Sequence, residues 1–100
     1  MQVRVELLGL SRLVIGQREV TLDLDSEATY RDVVRELGET YPALVGNVIQ
    51  SDKENLQAPN IFNLNAKRMI QAKQMENRLV DELHPSEGDR IILMSMSAGG

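Results

Sequence analysis

Hydrophobic and polar positions alternate in two stretches near the start of the chain. The apolar members are Val3, Val5 and Leu7 in the first stretch and Val20, Leu22 and Leu24 in the second. A period of two is typical of a strand with one buried face. The irregular stretch between them, 12–17, predicts a hairpin with a long connection, in which residues 13–15 either extend the first strand or fold over the sheet edge.

A helical period follows the second strand. Thr29 and Asp32 have the spacing of a capping box, although the acid is shorter than the usual glutamate. The apolar positions that recur at helical spacing after Thr29 are Tyr30, Val33, Val34, Leu37 and Tyr41. Because the residue before a proline avoids helical geometry, Pro42 ends this helix, and the pattern predicts a helix over 29–40.

The second half of the chain is less periodic. The polar segment 50–60 is the longest predicted loop and the most mobile segment. Strands are predicted at 61–65, with Ile61 and either Leu64 or Phe62 buried, and at about 68–71. Leu79, Val80 and Leu83 form a small apolar cluster before a final strand at 90–94, which is the most apolar and is therefore predicted to be central in the sheet.

This order of elements predicts an α+β fold, a mixed sheet of four to five strands with one main helix. The first and last strands are both strongly apolar and are expected to pair at the sheet centre, which is the topology of a β-grasp. The predicted organisation is one domain over 1–94 and a flexible tail of small residues over 95–100.

Composition narrows the possible functions. The chain of 100 residues has a net charge of −4, which disfavours nucleic acid and anionic membranes as partners. It has no cysteine and one histidine, so a Cys- or His-based metal site is not expected. No nucleophile, base and orienting group converge, which predicts a protein that is not an enzyme by itself. The start of the chain has no signal-peptide layout, so a cytoplasmic location is expected.

The sequence ends in Gly99 and Gly100, preceded by Ala98. A terminal carboxylate is a poor electrophile and must be activated, for example as an acyl-adenylate. Glycine lacks a Cβ and therefore passes through a channel too narrow for other residues, which predicts threading of Ala98 and Gly99 and activation of Gly100. A frayed terminus is the alternative interpretation.

Met94 and Met96 lie on one face of the last predicted strand. Core packing is one role for them. The other is contact with a partner beside the tail, because methionine repacks readily against different surfaces.

These features together resemble the ubiquitin-like sulfur carriers, the MoaD/ThiS-like proteins. The shared features are the capping box at Thr29, the Tyr41-Pro42 helix end, the Gly88-Asp89 turn before an apolar strand and the terminal Ala98-Gly99-Gly100. The stretches 8–13 and 41–44 resemble the small subunit of molybdopterin synthase more than the thiamine-biosynthesis carrier.

The resemblance implies a β-grasp protein that binds no cofactor and is monomeric when free. A ubiquitin-activating-like adenylating enzyme would use ATP to activate Gly100, which then becomes a thiocarboxylate. In this family the sulfur passes to the molybdopterin precursor, to thiazole or, in related cases, to tRNA. The closer resemblance to the molybdopterin synthase small subunit implies the molybdopterin precursor, with the synthase large subunit as partner. The alternative is a protein modifier joined to target lysines through Gly100. A third possibility is a plain interaction module with an incidental Gly-Gly end. Ser95 and Met96 stand where the family often has prolines, which weakens the pathway assignment.

Overall fold

The computed structural model describes residues 1–96. The helices and strands are β1 (Gln2–Leu7), α1 (Leu10–Ile15), β2 (Glu19–Asp23), α2 (Tyr30–Thr40), β3 (Asn60–Leu64), β4 (Arg68–Ile70) and β5 (Ile91–Ser95). Short 3-10 turns lie at Pro42–Leu44, Ala72–Gln74, Leu79–Asp81 and Pro85–Glu87. None of the helices within residues 1–96 has the length and apolar character that crossing a membrane requires.

The five strands form one mixed sheet in the order β2-β1-β5-β3-β4. β1 and β5 are parallel, and the other neighbouring strands are antiparallel. The most apolar strand, β5, is therefore at the centre and pairs with β1. This arrangement confirms the predicted α+β fold and its β-grasp topology.

The main helix α2 begins where the sequence predicts. The Thr29 hydroxyl accepts a hydrogen bond from the Asp32 N–H at 3.3 Å, and the Asp32 carboxylate accepts one from the Thr29 N–H at 2.9 Å. This capping box satisfies two N–H groups at the start of the helix. Helix α2 continues through Gly38, where an added Cβ would meet the Lys53 Cγ at 3.2 Å, and it ends before Pro42.

One apolar cluster fills the space between α2 and the inner face of the sheet. Its fully buried members include Val33 and Leu37 from the helix and Val5, Ile91 and Leu93 from the central strands. In β3 the inward residues are Phe62 and Leu64. The prediction that Ile61 is buried is wrong, since the alternation of β3 places it on the outer face, where it is partly exposed.

Several element boundaries also differ from the sequence prediction. Residues 10–15 form helix α1 and do not extend the first strand, because Gly9 and Gly16, both with positive φ, bound a short helical segment. Strand β5 continues to Ser95, one residue beyond the predicted domain boundary at Met94. Met96 of the predicted tail is also described, and the other predicted tail residues, 97–100, lie outside the described part.

The irregular segment before β5 is attached to α2 by a polar network. Glu82 accepts hydrogen bonds from the Tyr30 hydroxyl at 2.7 Å, the Arg68 guanidinium at 2.8 Å and the Asn77 amide at 2.9 Å. Burial raises the pKa of the Glu82 carboxyl, but these donors together outweigh burial and hold that pKa below its usual value. Burial, followed by the bond to Glu82, raises the pKa of Tyr30.

The predicted loop 50–60 is also attached to α2. The Arg31 guanidinium donates to the Glu54 carbonyl at 2.8 Å and to the Asn55 side-chain oxygen at 3.2 Å. It also forms an ion pair with Glu76, so one side chain joins α2 to two irregular segments.

Candidate functional site

The chain leaves the sheet beside the end of β1. Because β1 and β5 are parallel, both strands end on the same side of the molecule. The Leu8 N–H donates to the Leu93 carbonyl at 3.0 Å, and the Met96 N–H donates to the Pro59 carbonyl at 2.8 Å. The predicted tail residues Ala98, Gly99 and Gly100 lie outside the described residues.

The two predicted contact residues lie on the outer face of the sheet. Ile91 and Leu93 point inward and are fully buried, so Met94 points to the opposite face, where it lies beside Ile61 of β3. Met94 is partly exposed, and Met96, just beyond the strand, is 48% exposed. Neither side chain belongs to the core beneath α2. Their contact with a partner stays a prediction.

Three exposed leucines beside this strand end were not predicted as site residues. Leu8 follows β1 on the outer face and is 39% exposed, while Leu10 and Leu13 of α1 are 43% and 80% exposed. Leu10 and Leu13 are three residues apart and therefore lie on the same side of the helix. Together with Met94 and Met96 they form what we call the tail-root surface. The signals in the sequence were the resemblance of stretch 8–13 to the molybdopterin synthase small subunit and the pair of glycines at 9 and 16, which permit a helix between them.

Local backbone geometry holds α1 next to the end of β5. Gly9 has a φ of +72°, which a side chain would strain, and a Cβ there would lie 3.9 Å from the Ser95 Cβ. Ser11 is fully buried, and its hydroxyl donates to the Leu8 carbonyl at 3.2 Å. Gly16 closes the helix in the left-handed conformation, and its N–H donates to the Arg12 carbonyl at 2.8 Å.

A second network fixes the start of β5. The Asp89 carboxylate accepts hydrogen bonds from the His84 backbone N–H at 2.8 Å and from the Asn65 amide at 3.0 Å. The bond from His84 is the main cause of the lowered pKa of Asp89. Asn65 also accepts from the Arg90 N–H at 2.9 Å, and Gly88 supplies the required φ of +89°. The Gly88-Asp89 turn noted in the sequence therefore positions the strand that carries the tail.

Paired charged side chains lie on the outer face of the sheet, beside the tail-root surface. Arg90 donates to Glu6 at 2.7 Å, and Arg4 makes two bonds of 3.1 Å with Glu19. Among residues 1–96 no cluster of three or more histidine, aspartate or glutamate side chains is arranged to hold a metal ion. What the site presents is a surface, with apolar side chains around the root of the tail and neutralised charge beside it.

Comparison with known proteins was made on the whole chain. No protein-family model and no curated protein matches its sequence. Among solved structures, SAMP1 from Haloferax volcanii is 24% identical, with a TM-score of 0.73 and full coverage of both chains. A structure of H. volcanii small archaeal modifier protein 1 is 23% identical, with a TM-score of 0.72 over 96% of this chain and 98% of that one. A putative molybdopterin converting factor, subunit 1, from Pyrococcus furiosus is 17% identical, with a TM-score of 0.64 over 97% and 99% of the chains.

These similarities are at the level of the fold. They confirm the ubiquitin-like β-grasp architecture and match the predicted resemblance to MoaD/ThiS-like proteins. The neighbours include two of the three classes that the sequence left open, a small modifier and a molybdopterin converting factor subunit.

Proposed function

We propose that this chain is a ubiquitin-like carrier whose Gly100 is activated by a ubiquitin-activating-like adenylating enzyme. The observation that supports the proposal is the position of β5. This strand is central in the sheet, is fixed at its start by Asp89, and ends among the exposed side chains of the tail-root surface. An enzyme that receives the tail therefore contacts this apolar surface as well.

The proposed chemistry takes place on the Gly100 carboxylate. A carboxylate oxygen attacks the α-phosphorus of ATP, forming an acyl-adenylate and releasing pyrophosphate. The sulfur of a hydrosulfide ion then attacks the acyl carbon. A C–S bond forms, the C–O bond to AMP breaks, and AMP leaves. The product is a thiocarboxylate. We propose that its sulfur passes to the molybdopterin precursor in a complex with the synthase large subunit. Because activation consumes ATP, we expect the protein to act in the cytoplasm.

A second fate for the same acyl-adenylate is conjugation to proteins. Two of the similar structures are of a Haloferax volcanii small modifier protein, which supports the modifier function as a second candidate. In that case a lysine amine of a target replaces AMP, either directly or after transfer, and an isopeptide bond forms at Gly100.

Intact mass spectrometry tests the shared activation step. The protein is incubated with its adenylating enzyme, ATP and a sulfur donor, in parallel with a sample without ATP and a variant that lacks Gly100. We expect a mass gain equal to the replacement of one oxygen by sulfur in the complete reaction only. No gain with an enzyme that is active on another carrier would contradict the carrier function.

Peptide mapping separates the two fates. Trypsin cleaves after Arg90, and no lysine or arginine follows it in the sequence. A modified target lysine would therefore carry residues 91–100 as a branch of known mass. Such branches without any thiocarboxylate would favour the modifier, and the thiocarboxylate without branches would favour the sulfur carrier.

A further inference from the structure

One edge of the sheet has free hydrogen-bonding groups. β2 is an edge strand, and its bonds to β1 are made by alternate residues, since Arg18 and Leu24 at its two ends pair with Leu7 and Met1. In an antiparallel pair the intervening residues direct their backbone N–H and C=O groups away from the partner. These residues are Glu19, Thr21 and Asp23, and none of their backbone groups has another partner within residues 1–96.

A charged cleft lies beside this edge, between the end of β2 and α2. The cleft has a volume of about 370 Å³, and Leu24 and Ala28 are its apolar lining residues. Its carboxylates belong to Asp23, Asp25, Glu27, Asp32 and Glu36, against the single guanidinium of Arg35.

Part of this acidic charge is not neutralised by the chain itself. Asp32 pairs with Arg35 at 2.9 Å, Glu27 pairs with Arg78 at 2.6 Å, and Asp23 lies 3.7 Å from the N-terminal ammonium of Met1. Asp25 and Glu36 form no ion pair with any of the residues that the structure describes. The cleft is therefore electrostatically complementary to a cation.

We propose that the β2 edge and this cleft form a docking site for an extended segment of a partner protein that carries lysine or arginine. The segment adds to the sheet as a sixth strand through main-chain hydrogen bonds to Glu19, Thr21 and Asp23. Its alternate side chains face α2, and a basic one near Asp23 enters the cleft.

The location leaves the tail accessible. β1 runs from Met1, which pairs with Leu24 beside the cleft, to Leu7, which lies beside β5 at the tail-root surface. Six residues of strand separate these ends by about 20 Å. The chain can therefore hold a basic segment at one end of the sheet while an enzyme holds the tail at the other. This inference goes beyond the proposed function and does not depend on Gly100.

Pairing with a second copy of the chain is disfavoured in the symmetric register centred on Thr21. Antiparallel pairing of two β2 strands about a two-fold axis at Thr21 would place Glu19 of one copy opposite Asp23 of the other. Like charges directly opposite each other across a strand pair are destabilising. The chemistry of the edge therefore favours a basic partner segment.

Nuclear magnetic resonance of the full chain tests the proposal. The probe is a peptide with threonine at every second position and valine or lysine at the positions between. The matched control carries glutamate in place of each lysine. We expect the lysine peptide to shift the amide signals of Glu19, Thr21 and Asp23 and to slow their hydrogen exchange. We also expect this binding to weaken as salt is added.

Two sets of variants locate the contact. Thr21→Pro removes an outward N–H at an edge position that tolerates proline, and it should abolish binding, whereas Thr21→Val should retain it. The double variant Asp25→Asn, Glu36→Gln should weaken binding about fivefold. This variant tests the cleft independently, so the proposal stays testable if Thr21→Pro folds poorly. The same two changes in a chain without Gly100 should give the same result. Equal binding of the glutamate peptide, unchanged edge amides, or no binding at millimolar concentration would overturn the proposal.

Discussion

The two faces of β5 serve different purposes although they alternate along one short strand. On the inner face, Ile91 and Leu93 are fully buried against the core beneath α2. On the outer face, Met94 is partly exposed, and Met96, just beyond the strand, is exposed; both lie outside that core. The comparison indicates that one set of side chains maintains the fold and the other is available to partners. Substitutions on the two faces should therefore have separable effects.

The largest loss of stability is expected at Leu93. Leu93→Ala removes a fully buried side chain from the central strand and leaves a cavity, so the free energy of unfolding should fall by about 2–5 kcal/mol. Urea unfolding followed by circular dichroism measures this change. A loss below about 1 kcal/mol would contradict this expectation and would mean that neighbouring side chains fill the cavity at position 93.

The next effect concerns the network that attaches the irregular segment to α2. Tyr30→Phe removes one of the donors to Glu82, and we expect a loss of about 1–3 kcal/mol at neutral pH. The folded-state pKa of Glu82 is lowered, so its stabilising contribution is complete above the usual value of 4.5 and is lost as pH falls through the folded value. The difference between the two proteins should therefore shrink in acid. Urea titrations at several pH values measure it, and a difference independent of pH would contradict the role of Glu82.

A smaller effect is expected at the start of α2. Thr29→Ala removes the hydroxyl that accepts from the Asp32 N–H, and helix caps of this kind contribute about 1 kcal/mol. Thr40→Ala, at the exposed end of the same helix, is the matched control. Thermal melting of both variants compares them, and equal losses would show that the cap contributes nothing specific.

The smallest loss of stability is expected on the outer face. Met96→Ala shortens a side chain that is 48% exposed, so stability should change by less than about 1 kcal/mol. The same variant should require more carrier protein for half-maximal adenylation if the tail-root surface contacts the enzyme. Unchanged adenylation kinetics together with a large loss of stability would contradict the account, because Met96 would then maintain the fold and would not contact the enzyme.

The sequence was most informative where one pattern dominates. Strict alternation in β1 and β2 and the capping box at Thr29 identified elements whose local preference agrees with their burial. β3 was harder, because Ile61, Phe62 and Leu64 are all apolar and only the packing against α2 determines which of them point inward.

The tail-root surface could be predicted only in part. Met94 and Met96 share a face of a recognisable strand, but Leu10 and Leu13 belong to a six-residue helix that is too short to show a period. The predicted pairing of the first and last strands leaves β2 outside β1, but the charged cleft beside this edge is formed by β2 and α2 together and has no pattern of its own in the sequence.

The central claim is that an adenylating enzyme activates Gly100 after docking on the tail-root surface. ATP–pyrophosphate exchange measures this most directly, because formation of the acyl-adenylate is reversible. We predict exchange with the intact chain, none with a chain lacking Gly100, and a raised half-saturating concentration for Met94→Ala with Met96→Ala at an unchanged maximal rate. Exchange that persists without Gly100, or that fails with the intact chain and a competent enzyme, would contradict the claim.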